Sequence, residues 1–479
     1  MKTMKTMKTM QAVITAACTA SLLLAPSAGA QDEKPVPKRV LFTNVKVFNG
    51  LDDKLIKADV LVQDNLIAEV AEGGLAVTAD ANTTIIDGGG RTLMPGLIES
   101  HVHLNLVGAF GSLPEGQAAD WDRIGATSAA YAKEFLDDGY TTVRDIGGAS
   151  GVGLKKVIDD GITPGPRVYA GGAIISQTAG HADWMTGPEH RSGEGVGNME
   201  RLNIGVTADG IPDVRKAVRR NFAYQASHIK ICTGGGVSSL LDPIDSSGYS
   251  FDEIKAVVDE TNRYNTYTAV HAYQDVDIRR SIEAGVKCIE HGHMIKEETM
   301  KLLVKNDVFL SMNMSAVSPD ISTVPNYAPG TPSGKKLAIV LKEIPNTIEL
   351  IKKYKPKLVH NVDSVLIPFA QARGQRDHEK WMFAKTFGNF LALKSMTSTG
   401  GELCALAGKR GTYQDGPIGV IKPGAYADII LVDGNPLEDL ACLGAHDKLF
   451  PDPPRQESGH ATIPFIMKDG KIYKNTLSK

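Results

Sequence analysis

Pro95-Gly96-Leu97-Ile98-Glu99-Ser100-His101-Val102-His103 is the stretch on which the reading of this chain turns. It is an apolar run entered through a Pro-Gly turn, and it carries two imidazoles two residues apart. Side chains alternate along a strand with period two, so His101 and His103 share one face. At the end of an inward-facing strand such a pair can bind one metal from one side. Two hydrogen-bonded structural histidines are the plainer alternative, since a zinc site needs further ligands.

Downstream, strand-like and helical segments alternate. The strand-like runs are Leu97–Leu104, Thr141–Ile146, Arg167–Ile174, His228–Thr233, Tyr267–Ala272, Cys288–Ile295, Val308–Met314 and Leu358–Val365. Helical stretches lie between them, such as Thr127–Leu136, Asp213–Ala226, Phe251–Tyr264 and Lys296–Lys305. Ser250 and Glu253 fit a capping box opening the third of these. The expected fold class is α/β, a (β/α)8 TIM barrel over residues 95–410. An open doubly wound sheet is the competitor, but no G-x-G-x-x-G follows a first strand.

The flanks have another texture. Residues 31–94 and 411–479 read as short β-rich runs punctuated by Asn49-Gly50, Gly88-Gly89-Gly90 and Asp433-Gly434. Neither is long enough for a core of its own, so a small β-sandwich domain built from both chain ends is expected. The first thirty residues stand apart. A threefold Met-Lys-Thr repeat precedes an apolar run, Ala12–Ala25, and then Ala28-Gly29-Ala30. This pattern predicts a signal peptide at 1–30, cleaved after Ala30, and a periplasmic or secreted protein without membrane attachment after cleavage. A membrane anchor would need about 20 apolar residues. Cys18 sits too early in the run for a lipoprotein signal.

Of the 479 residues, 52 are Lys or Arg and 55 are Asp or Glu, a net charge of −3. Nothing there points to nucleic acid as a partner. An apolar share of 42% with 22% charged residues argues against wholesale disorder. Five Cys in this length do not make a disulfide scaffold. An oxidising compartment permits disulfides among the four beyond Cys18, in three fully paired arrangements that sequence does not separate; buried unpaired thiols are the default expectation, and Cys232 shares strand parity with Lys230.

More candidate ligands sit at other strand ends, where barrel enzymes place chemistry. His271 lies in Ala269-Val270-His271-Ala272-Tyr273, His291 in Ile289-Glu290-His291, and Asp363 in Val362-Asp363-Ser364. Lys230 lies in Ile229-Lys230-Ile231-Cys232, ahead of Gly234-Gly235-Gly236. An inward ammonium beside divalent metals is repelled and costly to desolvate. Either Lys230 points outward or pairs with an acid, or it has reacted with carbon dioxide to give an anionic carbamate.

This set resembles the amidohydrolase superfamily: H-x-H on strand 1, Lys230 on strand 4, His271 on strand 5, His291 on strand 6 and Asp363 on strand 8. The leading Met94-Pro95-Gly96-Leu97-Ile98-Glu99-Ser100-His101 and the late Gly419-Val420-Ile421-Lys422-Pro423-Gly424-Ala425-Tyr426-Ala427-Asp428-Ile429 are similar to it too. Ser176-Gln177-Thr178-Ala179-Gly180-His181 and Lys230-Ile231-Cys232-Thr233-Gly234-Gly235-Gly236 resemble one branch. That branch holds Xaa-Pro dipeptidase-like, carboxypeptidase-like and ochratoxin-hydrolysing amidohydrolases. One departure stands out: the family's last strand often reads Gly-Thr-Asp or Gly-Ser-Asp, whereas here it is His360-Asn361-Val362-Asp363.

The resemblance implies two divalent metal ions, usually zinc. His101, His103 and Asp363 would hold one, His271 and His291 the other, with carboxylated Lys230 as bridging ligand. It implies a metal-activated hydroxide as nucleophile, with Asp363 taking its proton and passing it to the leaving amine. His181 resembles a substrate-facing histidine that steadies the oxyanion; a locally bonded loop histidine is the alternative. Tyr273 shares the strand face of His271, and either meets substrate or packs. His293, two after His291, is open in the same way. Arg144 either meets a substrate carboxylate or pairs with an acid such as Asp145.

The leading expectation is a hydrolase releasing a C-terminal amino acid from dipeptides or N-acyl amino acids, with ochratoxin A in that class. An ester, lactone or organophosphate hydrolase on the same metals is the first alternative. A non-catalytic periplasmic binding protein is the second. Loops Gly108–Asp122 and His181–Gly210 are expected to set specificity. Ser318–Ser333 reads as an insertion forming a lid or an assembly contact. The resemblance also implies a homo-oligomer, an octamer in some relatives.

Overall fold

The structure, a computed structural model, describes residues 37–107, 115–116, 118–148, 150–185, 187–192, 196–239, 242–451 and 459–477. The expected signal at 1–30 and residues 108–114 of the first specificity loop lie outside these. Residues 38–479 form one compact unit.

The N-terminal part forms β1 (Arg39–Val47), β2 (Ile56–Gln63), β3 (Leu66–Ala71), β4 (Thr83–Asp87) and β5 (Thr92–Pro95). The first two are half-buried strands, and alternation sends Phe42, Val60 and Val62 inward. The barrel strands follow: β6 (Leu97–Val102), β7 (Tyr140–Asp145), β8 (Arg167–Ala170), β9 (Ile174–Ser176), β10 (Gly205–Thr207), β11 (Ile229–Cys232), β12 (Thr268–Gln274), β13 (Cys288–Met294), β14 (Phe309–Met312) and β15 (Lys357–His360). The C-terminal part adds β16 (Ile429–Val432), β17 (Phe465–Lys468) and β18 (Lys471–Asn475).

Both chain ends meet in one eight-stranded sheet, in the order β18-β17-β16-β5-β1-β2-β3, with β4 beside β1. The joint is β16 against β5, antiparallel, with Ile430 opposite Met94. Phe42, Val60, Leu93, Ile429 and Phe465 are among the side chains buried in its core. Each such side chain, fully buried, stabilises by about 1.5–3 kcal/mol.

All eight predicted barrel runs contain strand. The third breaks into β8 and β9 at Gly171-Gly172, where Gly172 has φ +73°. On one side β8 pairs with β7; on the other β9 pairs with β11. From β11 to β15 each strand pairs in parallel with the next. At the seam between β15 and β6 a carboxylate supplements the backbone bond from the Asp363 N–H to the His101 carbonyl at 3.3 Å. Glu99 Oε1 accepts from the backbone N–H of Val362 at 3.1 Å, and Oε2 lies 2.7 Å from His360 Nδ1. The intervening helices include Trp121–Asp137, Gly210–Ala223, Phe251–Arg263 and Glu297–Lys305. The capping box predicted at Ser250 and Glu253 is formed. This is an α/β TIM-barrel fold, and its strands carry the candidate ligands to one end. Among the described residues no helix is long and apolar enough to cross a membrane. Cys232, Cys288, Cys404 and Cys442 are unpaired, the first three buried.

Candidate metal centre

The six residues expected as metal ligands line one cavity of about 680 Å3. His101 Nε2 and His103 Nε2 are 3.3 Å apart. Asp363 Oδ1 lies 3.4 Å from the first and 3.5 Å from the second. His291 Nε2 is 4.0 Å from Asp363 Oδ2. The ring of His271 is centred 4.6 Å from that of His291. Lys230 is buried in the same wall, joined by Cys232 as strand parity suggested.

Simple alternation places His101 above Glu99 on β6, but it does not place the later ligands. His291 and Asp363 both have left-handed backbone, φ +73° and +43°. That conformation is uncommon outside glycine and costs energy that the surrounding structure must supply. Gly236 shows how tightly the loop after β11 passes. A Cβ there would sit 2.1 Å from His181 and 2.8 Å from His271 Nε2.

Each ligand imidazole spends one nitrogen on an oxygen that can only accept. His101 Nδ1 meets Glu290 Oε2 at 2.9 Å, and His103 Nδ1 meets the Gly147 carbonyl at 3.3 Å. His291 Nδ1 meets Asn313 Oδ1 at 3.1 Å, and His271 Nε2 meets the Gly235 carbonyl at 3.3 Å. Those nitrogens donate, so the other nitrogen of each ring carries a lone pair. Burial supports the neutral state, aided at His103 by the neighbouring His101. It pushes His103 down to about 3, and holds His271 and His291 well below the ordinary imidazole range. Burial alone would raise the Asp363 carboxyl. The adjacent His101 opposes this most, and the group is held well below the usual carboxylate range. Four imidazoles around one carboxylate make a donor set suited to divalent metal. Lys230 forms no ion pair among the described residues. An unpaired ammonium fits poorly there, and a carbamate on the same nitrogen would fit well.

Behind the ligands lies a layer that the sequence reading passed over. Glu290 is completely buried and accepts from Arg144 Nη2 at 2.7 Å through the oxygen not facing His101. Burial by itself would raise its carboxyl, but Arg144 holds it well below its ordinary range. Arg144 also donates from Nε to the Ser100 carbonyl at 2.6 Å. It is wholly buried and does not line the cavity, so the expected contact with a substrate carboxylate is corrected. Its acid is Glu290 rather than Asp145. Glu99 braces the other side, with Oε1 also 3.2 Å from the His101 backbone N–H. Its position two before His101, on the same strand face, was the available signal. Glu290 gave none, because the left-handed turn at His291 defeats strand parity.

His181 lines the cavity and stacks on His271, centroids 3.8 Å apart and planes 12° apart. Its Nδ1 lies 3.0 Å from Asp242 Oδ2 and 2.9 Å from Ser239 Oγ. Asp242 also accepts from the Gly236 N–H at 2.6 Å, which fixes the loop beneath the ring. Tyr273 stacks on His291 at 5.0 Å but lines an adjoining chamber, as does His293.

The barrel and this donor set are compatible with a metal-assisted hydrolase, and comparison with known proteins gives the family. Residues 92–366 match the amidohydrolase family, and the chain belongs to it. It is a hydrolase acting on amide or peptide bonds; that family is typically metal-dependent, and the cluster of His101, His103 and Asp363 is compatible with a metal. Within the family the chain lies in the branch of ochratoxinases and prolidases. It is 27% identical to the ochratoxinase of Aspergillus niger over 435 residues, 89% of this chain and 84% of that protein. A solved amidohydrolase structure is 31% identical with TM-score 0.78, over 92% of this chain and all (100%) of that one. A prolidase solved with N-methylphosphonate-L-proline is 28% identical with TM-score 0.78, over 91% of this chain and 100% of that one.

Proposed function

We propose that the protein is a binuclear metal hydrolase that cleaves the amide bond to a C-terminal amino acid in dipeptides or N-acyl amino acids, ochratoxin A among them. One observation carries this reading: four buried imidazoles, each with one nitrogen on an oxygen acceptor, line the cavity that holds Asp363 and Lys230. The relatives that hydrolyse ochratoxin or bind a proline analogue support the substrate class. His101, His103 and Asp363 would hold one ion and His271 and His291 the other, with Lys230 between them as a carbamate. Two zinc ions bound there would lower the pKa of a water and polarise the scissile carbonyl. Asp363 is held ionised, so Oδ2 can accept a proton from that water and return it to the leaving nitrogen. His181, oriented by Asp242, is assigned to steady the developing oxyanion, a role that requires a proton on Nε2.

We infer likewise that residues 1–30 direct export, that the end-derived sheet closes as a small β-sandwich, and that the chain self-associates. The test of the main reading is metal-stripped and zinc-reloaded protein assayed on N-acyl amino acids, Xaa-Pro dipeptides and ochratoxin A, with matched esters beside them. Zinc-dependent amide cleavage is expected. No amide turnover in the reloaded protein would overturn the assignment.

A further inference from the structure

In the loop that follows β11, Ser239 and Asp242 each make two attachments. Their side chains meet His181 Nδ1, with Oγ at 2.9 Å and Oδ2 at 3.0 Å. Their backbone carbonyls both accept from Lys336 Nζ, at 2.6 Å for Ser239 and 3.0 Å for Asp242. Lys336 stands on helix Pro332–Tyr354, 94 residues beyond Asp242. A third bond joins the same parts, since Ser238 Oγ and Tyr327 OH meet at 2.8 Å. Tyr327 belongs to Ser318–Ser333, whose sequence reads as an insertion, and the helix of Lys336 overlaps its end.

Lys336 lines neither the metal cavity nor the adjoining chamber, whereas His181 and Ser239 line the first. Both its side-chain hydrogen bonds go to this loop. Desolvating an ammonium is costly, so a half-buried one is held where acceptors meet it. Its charge also reaches Asp242. Burial would raise that carboxyl; His181 opposes this most, Lys336 adds to it, and the group stays below its ordinary range. The same carboxylate oxygen meets His181 Nδ1 and accepts from the Gly236 N–H at 2.6 Å, so ring and loop move together. Little room is left for a shift. The ring is stacked 3.8 Å from that of His271, and a Cβ at Gly236 would sit 2.1 Å from His181.

Resting on the proposed amide hydrolysis and on the part given there to His181, we propose that Lys336 is a positioning residue. It braces the loop of Ser239 and Asp242 so that His181 is aimed at the developing oxyanion. The inserted stretch then serves the metal centre without touching substrate through this residue.

The zinc-loaded full chain is assayed on whichever amide of the panel above it cleaves fastest. Lys336→Met should lower kcat by about tenfold and leave KM within about twofold, because what is lost is aim at the transition state. His181→Ala should cost about 100-fold in kcat. In the His181→Ala background, Lys336→Met should cost less than about twofold more, since nothing is left to position. No loss in Lys336→Met, a loss confined to KM, or losses that multiply in the double variant overturn the proposal. Should Lys336→Met not fold, Lys336→Gln, which keeps a donor for one carbonyl, takes its place in the cycle. Hydrogen–deuterium exchange separates this inference from the reading it rests on. In zinc-loaded Lys336→Met the peptide carrying the Gly236 N–H should exchange at least about tenfold faster than in wild type. Faster exchange in a protein with no amide turnover sinks the hydrolytic reading and supports the brace. Unchanged exchange overturns the brace whatever the activity.

Discussion

His101 Nδ1 lies 2.9 Å from Glu290 Oε2, and the other oxygen of that carboxylate is held by Arg144 at 2.7 Å. All three side chains are buried at the bottom of the site. The carboxylate fixes the tautomer that leaves His101 Nε2 free, and Arg144 keeps the carboxylate charged. Glu290→Gln should therefore weaken metal binding by about 10–100-fold, read by chelator competition. Glu290→Ala should in addition cost about 3–5 kcal/mol in urea unfolding, because it strands the Arg144 guanidinium. Unchanged metal affinity in both would show that Glu290 does not orient His101.

Lys230 lies in the imidazole-lined wall beside Asp363 and forms no ion pair among the described residues, and its modification is predicted to limit metal loading. Reactivation of stripped protein by zinc should accelerate when bicarbonate is added. Lys230→Ala should hold fewer metal ions per chain by elemental analysis and should lose hydrolysis. Reloading that ignores bicarbonate would argue against a carbamate.

At the barrel seam, Glu99 receives the backbone N–H groups of His101 and Val362 and the Nδ1 of His360. Glu99→Ala leaves all three without an acceptor inside the core. The expected cost is about 3–5 kcal/mol of unfolding free energy in urea, with weaker metal retention because a side-chain tie between two ligand-bearing strands is lost. His360→Phe should be milder, since it takes a partner only from Glu99 Oε2, while Oε1 keeps both backbone N–H groups. Equal losses in the two variants would contradict this division.

Much of this architecture is legible in sequence because it rests on local periodicity. The run Leu97–His103 shows the paired imidazoles directly, and Ser250 with Glu253 shows a helix start. The later strand ends are legible as a set of residue types, since each ligand follows an apolar run. What is not legible depends on backbone that breaks the pattern. Left-handed His291 turns its own ring to the metals while Glu290 reaches His101. Arg144 looks like a substrate contact because its strand ends near the cavity, but only the fold shows that Glu290 lies beside it. The chamber beside the metal cavity is assembled from residues 237 to 450, far apart in sequence, and no window of the chain contains it.

Glu379 supplies a pH dependence with a definite sign. It sits wholly buried on helix Phe369–Phe387, and its carboxylate accepts the backbone N–H groups of Met314, at 2.6 Å, and Ser315. Burial pushes its carboxyl up to about 7, although His360 and the two N–H groups pull the other way. In the unfolded chain the group titrates near its ordinary value of 4.5. As pH rises through this window, the unfolded chain releases the proton first while the folded chain still holds it. Folding stability therefore falls across the window and stays lower above it. A shift of this size corresponds to about 3 kcal/mol. Glu379→Gln keeps an amide oxygen for one N–H and removes the titration. The loss of unfolding free energy between pH 5 and pH 8, measured in urea, should shrink by about 2–3 kcal/mol relative to wild type. Because both proteins carry the same metal ligands, metal release at low pH cancels in the difference. Parallel stability curves for the two proteins would show that Glu379 is already ionised when folded.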